Sequence, residues 1–341
     1  MGFRTPERVP RDLWTLPWAS ARYPRELAQL QERFPPDIAG APDVHESPTR
    51  VRGDAYVVGR YVDEWGCVFD SIQAGVVGEV KEPLIPDLSA WASFRPPYEI
   101  LPRDAAAARD RVNAFCAATD RFVLSACAAR PWERLQFLRG TQEAMMDVAA
   151  PDERVRGLIG RINEFYLREL EFWATTEVDA LFFMDDWGAQ RQLLIPPASW
   201  RELFKPLYRQ YCELAQAHGK LAFMHSDGCI SEVYEDLIEI GVNAVNSQLF
   251  AMDLGDLARR AKGRITFWGE IDRQHVLTAA DPEEGKRAVR AVAAALYDPA
   301  GGVIAQFELG AGANPAVARA IYEEWERVGR ARPTSSGSSG A

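Results

Sequence analysis

No stretch of the chain approaches the roughly 18–20 consecutive apolar residues that a membrane helix needs. The first residues, MGFRTPERVPRDLW, hold no apolar core of the signal-peptide type, so a cytoplasmic location without a membrane partner is expected. Cysteine is sparse. Cys67, Cys116, Cys127, Cys212 and Cys229 are scattered, odd in number and form no C-x-x-C pair, which excludes a disulfide framework and a zinc-finger spacing. Positive charge is in deficit: 39 Lys and Arg against 49 Asp and Glu give a net charge of −10. That balance repels a phosphate backbone and argues against a nucleic-acid partner. No G-x-G-x-x-G stands at a strand-to-helix turn, so a dinucleotide-binding domain is not supported.

What is present suits a globular enzyme. The 341 residues are 47% hydrophobic and 26% charged, enough to bury a full core as two domains or as one large barrel. From residue 119 onward, short apolar runs alternate with amphipathic helical stretches. RFVLSACAA, VDALFFMDD, KLAFMHSDG, VNAVNSQ, RITFWGEID and GVIAQFELG read as six strands. One helix opens at Pro151-Asp152-Glu153 and another, 197–219, closes at Gly219, where a C-terminal glycine belongs. Strands that are apolar throughout are buried on both faces and therefore parallel. The expected fold is α/β: a (β/α)8 TIM-type barrel with an N-terminal elaboration, an open doubly wound sheet being the alternative. Residues 1–53 read as an N-terminal arm, 54–330 as the barrel, and 331–341, including PTSSGSSGA, as a disordered tail or added linker. Within the barrel segment, 54–62 reads as a strand, and GCVFD with GVVGEVKEPLI as a hairpin.

In a parallel barrel, chemistry collects at the C-terminal ends of the strands. Five successive strands here release polar residues at that end: Asp185 and Asp186; His225, Asp227 and Cys229; Asn246 and Gln248; Glu270 and Asp272; then Glu308, followed by the glycine turn and Asn314. Each also has a plain structural role open to it. One of Asp185 and Asp186 can cap the next segment, Asp227 can cap the helix after it, His225 can be a satisfied core histidine, and Cys229 a small buried residue. Together, His225, Asp227, Cys229, Glu270 and Glu308 offer nitrogen, oxygen and sulfur donors for a metal. Without one, crowded carboxylates would raise each other's pKa and act as general acids. His45, His218 and His275 are given no chemistry, and Trp187 and Trp268 read as packing beside the mouth.

DDWGAQRQLLIPPASWRELFKPLY, the HSDG turn, DLIEIGVNAVN, ITFWGEIDRQHVL and FELGAGANP resemble the uroporphyrinogen decarboxylase superfamily, over roughly residues 55–328. That resemblance implies a (β/α)8 barrel and two branches of chemistry. Against the decarboxylase branch's R-Q-A-G-R-Y motif, this chain keeps Gly59, Arg60 and Tyr61 but has Tyr56 in place of the first arginine. Ala311 replaces the histidine of the L-G-H-G turn. Against the zinc-dependent, corrinoid-linked methyltransferase branch, His225-Ser226-Asp227 stands for His-x-Cys, and Ala311 for the distant cysteine. The HSDG turn and Asp63–Gly66 resemble the methyltransferase branch more. The resemblance therefore implies a metal-dependent methyltransferase acting with a corrinoid protein or a small methyl donor. Zinc would sit on His225 and Asp227, completed by Glu270 or Glu308, with Cys229 a further donor. Asp185, Asp186, Asp227 and Glu270 would be catalytic, and Arg60, Gln190, Asn246, Gln248, Asp272 and Asn314 would bind a small-molecule substrate. A homodimer is one assembly open to it. The alternatives are a decarboxylase of a porphyrinogen-like or small carboxylate anchored by Arg60, and a non-catalytic barrel that binds a tetrapyrrole or corrinoid protein.

Overall fold

The computed structural model describes residue 3 and residues 5–330; the expected tail at 331–341 lies outside them. Eight parallel strands form a nearly closed barrel. They are β1 (Arg11–Thr15), β2 (Ile38–Gly40), β6 (Phe122–Leu124), β7 (Ala180–Met184), β8 (Leu221–Ser226), β9 (Ala244–Ser247), β10 (Thr266–Trp268) and β11 (Val303–Leu309). Their order is β1-β11-β10-β9-β8-β7-β6-β2. A separate antiparallel sheet, β3 (Gly59–Val62), β4 (Val68–Ser71) and β5 (Glu79–Glu82), is inserted between β2 and β6. The six strands read after residue 119 are all present. The remaining two come from Arg11–Thr15 and Ile38–Gly40, so the barrel begins inside the segment read as an arm, and the 54–82 strands stand outside it.

The β1–β2 seam carries no ladder among the described residues. Asp37 bridges it instead: its N–H donates to the Arg11 carbonyl (2.8 Å) and its carboxylate accepts the Arg11 N–H (2.7 Å). The same two-bond clamp recurs at the start of β7, where Asp179 holds Val123, and of β9, where Asn243 holds Ala222. At three junctions, then, an Asp or Asn just before one strand locks the adjacent strand in register.

Local chemistry sets the helix breaks. Helix Glu153–Ala174 starts on Asp152, which accepts the Arg154 and Val155 N–H groups. The stretch expected as one helix over 197–219 is two, Pro197–Leu203 and Lys205–Ala217. Pro206 has no N–H to donate, so it sits in the first turn of the second piece. Gly140, at φ +81°, separates Pro131–Arg139 from Thr141–Ala149 in the same way. Among the described residues no helix is long and apolar enough to cross a membrane.

Inside the barrel, Phe182, Phe223 and Trp268 pack with Trp14 of β1. Asp12 fixes this layer by accepting from the indole N–H groups of Trp14 (3.0 Å) and Trp268 (2.9 Å). The site sits against this aromatic layer, with the Trp14 ring 5.1 Å from that of His225.

Candidate functional site

Register explains the centre of the site. Met184 pairs with His225, and His225 with Asn246. Residues level with one another on adjacent strands share a face, so the side chains of His225 and Asn246 meet. His225 Nδ1 lies 2.6 Å from Asn246 Oδ1, and Asn246 Nδ2 donates to the Trp268 carbonyl at 2.6 Å. The asparagine amide is thus committed at both ends. Its oxygen receives the Nδ1 proton and leaves His225 Nε2 facing two carboxylates, Asp186 Oδ1 at 3.5 Å and Asp227 Oδ1 at 3.6 Å. Burial opposes charge on this imidazole, but Asp186, Asp227 and Asn246 outweigh it and push its pKa up to about 9. Burial likewise works to raise Asp186, and its contacts with His225 and the Asp227 N–H hold it below its ordinary value.

The loops carrying the two carboxylates are joined backbone to backbone. Gly188 N–H donates to the Asp227 carbonyl (3.0 Å) and Cys229 N–H to that of Ala189 (2.8 Å). A Cβ on Gly188 would lie 2.3 Å from the Cys229 nitrogen, and one on Gly228 2.1 Å from the Gly188 oxygen. Only a glycine pair permits this approach, which gives the glycines after Asp186-Trp187 and after Asp227 their purpose.

The ligand atoms of Asp186, His225 and Asp227 lie within 4.8 Å of one another, a separation that suits a metal ion. Asp227 Oδ1 is buried without a hydrogen-bond partner, as expected of an oxygen kept for a cation. One imidazole and two carboxylates fit zinc, or a harder divalent ion, without any thiolate. Asp186, read as catalytic, thus joins the candidate ligands. Other residues of the expected metal set stand elsewhere. Cys229 Sγ is 3.5 Å from Ser231 Oγ, outside this trio. Glu308 and Glu270 turn to Arg273, at 2.8 and 3.8 Å.

Arg273 is the residue that sequence reasoning missed. It also pairs with Asp227 Oδ2, so one guanidinium lies against three carboxyl groups. The signal was its position three residues after Glu270, beside a mouth crowded with carboxylates. Burial pushes Glu270 up to about 8 against the pull of Arg273, with Asp227 and Glu308 adding to the rise, and its Oε1 accepts no hydrogen bond. Glu270, Arg273, Gln190, Gln248 and Asp272 line a cleft of about 430 Å³ beside Asp227. Gln248 Oε1 accepts the Gly228 N–H, and Asp272 accepts the N–H groups of Gln274 and His275.

Three expected site residues do other work. Asp185 is fully buried, and its carboxylate accepts from Trp132 N–H (2.8 Å), Glu133 N–H (2.7 Å) and the Tyr208 hydroxyl (2.6 Å). It caps helix Pro131–Arg139 and faces no cleft, because successive residues of an extended chain point to opposite sides. Asn314 accepts the Ala316 N–H at the start of the last helix and donates to the Ala279 carbonyl. Arg60 lies on β3, exposed, and is paired with Asp70 and Glu82 of the neighbouring strands.

The sequence profile of the uroporphyrinogen decarboxylase (URO-D) family matches residues 63–320. The chain belongs to this family. No curated protein sequence matches it. Among solved structures, a methyltransferase from Methanosarcina mazei superposes with a TM-score of 0.60 at 12% identity, over 77% of this chain and 76% of that one. A glycosylated endo-β-1,4-xylanase from Gloeophyllum trabeum aligns at a TM-score of 0.36 and 13% identity, over 63% and 79% of the two chains. At 12% identity the likeness to the methyltransferase is one of barrel fold.

Proposed function

We propose that this family member is a metal-dependent methyltransferase working on a small-molecule substrate at the barrel mouth. The observation that carries the reading is the Asp186–His225–Asp227 trio, with Nε2 of an Asn246-anchored histidine and an unpartnered carboxylate oxygen turned toward one point. A zinc ion there would supply Lewis acidity, polarising a methyl donor or activating an acceptor. Asn246 orients the imidazole. Arg273 holds Asp227 through Oδ2 and leaves Oδ1 to the site. Glu270, with a pKa of about 8, holds a proton at neutral pH beside the cleft. Gln190 and Gln248 offer amides to an uncharged or cationic substrate. Five free thiols accord with a reducing, cytoplasmic setting.

The methyl-carrying partner, a corrinoid protein presented at the same mouth, rests on the family resemblance alone. The decarboxylase alternative draws on Arg60 as an anion anchor, and Arg60 is already committed to Asp70 and Glu82. Metal analysis of the purified protein after zinc supplementation tests the proposal. One equivalent is expected in the wild type and none in His225→Ala. A wild-type protein without stoichiometric metal sinks it.

A further inference from the structure

A second cavity, about 730 Å³, shares no lining residue with the cleft beside Asp227. Its walls come from the segment around 43–51, the inserted sheet β3–β5, the loop after β6, and helices Pro131–Arg139 and Glu153–Ala174. Seven aromatic side chains line it: Tyr56, Tyr61, Trp65, Phe69, Phe137, Phe165 and Tyr166. They brace one another, with Trp65–Phe165 at 4.9 Å, Phe69–Phe137 at 5.1 Å and Tyr61–Phe69 at 6.0 Å between centroids.

The charged groups of the lining are mostly acidic. Asp43, Glu46, Asp63, Glu64 and Glu169 stand against Arg130, Arg134 and His45. His45 counts as positive because it is held between Asp43 (2.6 Å) and Glu169 (2.8 Å). Three cations against five carboxylates leave 3 − 5 = −2. The wall already accommodates one organic cation of its own. The Arg134 guanidinium lies 4.5 Å from the Trp65 centroid and 5.3 Å from that of Phe137, and is paired with Asp63 and Glu64.

We propose that this cavity binds a small organic cation, a substituted ammonium carrying an aromatic or alkyl body. Aromatic faces attract such a cation, and the surplus carboxylates exclude an anion of the same shape. The volume falls within the range of small-molecule sites, roughly 300–1,000 Å³. The inference does not depend on a metal at the mouth, and its test keeps the two apart.

The test is isothermal titration of the metal-free full chain with benzyltrimethylammonium and, separately, with phenylacetate. The cation should bind at least tenfold tighter than the anion. Glu46→Lys should cost the cation about tenfold and favour phenylacetate, since it changes the local charge by two. Val77 lines the cavity and is exposed on its rim, so Val77→Trp should block binding without disturbing the core. His225→Ala should leave cation binding unchanged. Phenylacetate binding as tightly as the cation would overturn the proposal. So would the absence of any cation binding up to ~10 mM, or cation binding that His225→Ala abolishes while Glu46→Lys and Val77→Trp leave it intact.

Discussion

The two ends of the barrel use the same residue types in opposite ways. At the N-terminal end, Asp37, Asp179 and Asn243 each spend a side-chain oxygen on a neighbouring strand's N–H while their own N–H returns to that residue's carbonyl. At the C-terminal end, Asp227 and Glu270 keep a buried oxygen without a hydrogen bond, and His225 turns Nε2 toward carboxylates. A saturated oxygen stabilises the fold. A buried unsaturated one costs stability and is retained where something else must bind. Residue type at a strand end says little until its hydrogen bonds are counted.

Asp185 gives the sharpest test, because it stands at the C-terminal end yet is saturated like a residue of the other. Asp185→Ala leaves two N–H groups and a tyrosine hydroxyl without an acceptor, at about 1 kcal/mol each. An urea midpoint corresponding to a loss of about 3 kcal/mol is expected, with metal binding weakened only as far as the fold is. A stability equal to wild type would place Asp185 with the functional groups.

His45, in the loop that follows β2, is saturated by two carboxylates. Its pKa stands at about 9, raised from 6.5 by Glu169 and Asp43 against the opposing effect of burial. Because the folded value is the higher, the contribution is fully present below about pH 6.5 and is lost as pH rises through about 9. It amounts to about 2 kcal/mol, a discounted figure for a partly exposed partner. Urea midpoints from pH 6 to 10 should fall more steeply in the wild type than in His45→Gln.

Asn246→Ala should weaken metal affinity by about 10–100-fold, the usual effect of losing the group that orients a histidine ligand. Metal competition with a chelating dye measures it; an unchanged affinity would make Asn246 a packing residue. The smallest effect belongs to the N-terminal end. Asp179→Ala removes one accepted hydrogen bond, at about 1 kcal/mol, and should leave metal affinity untouched.

Much of this was legible in the sequence. The strands after residue 119 announce themselves as apolar runs buried on both faces. β1 and β2 did not, because Arg11–Thr15 is half polar, Ile38–Gly40 is three residues long, and the partner of β1 begins near residue 303. His225, Asp186 and Asp227 were visible as polar residues at strand ends. Which of Asp185 and Asp186 faces inward was not, since a one-residue shift exchanges the faces. Asn246 was expected to touch substrate and instead holds His225, a distinction that depends on cross-strand register. Arg273 lies beyond its strand in a loop, where no periodicity marks it.

The seam between β1 and β2 gives the wall a preferred line of parting. Where other neighbours share a ladder, here one aspartate spans the gap, and its second oxygen is tied to Arg8. Removing that one side chain takes away a fastening that no ladder beside it replaces. Under mechanical load the cylinder would therefore open first along this line, as a curled sheet with two free edges, while the opposite wall that holds His225 and Asn246 stays laced.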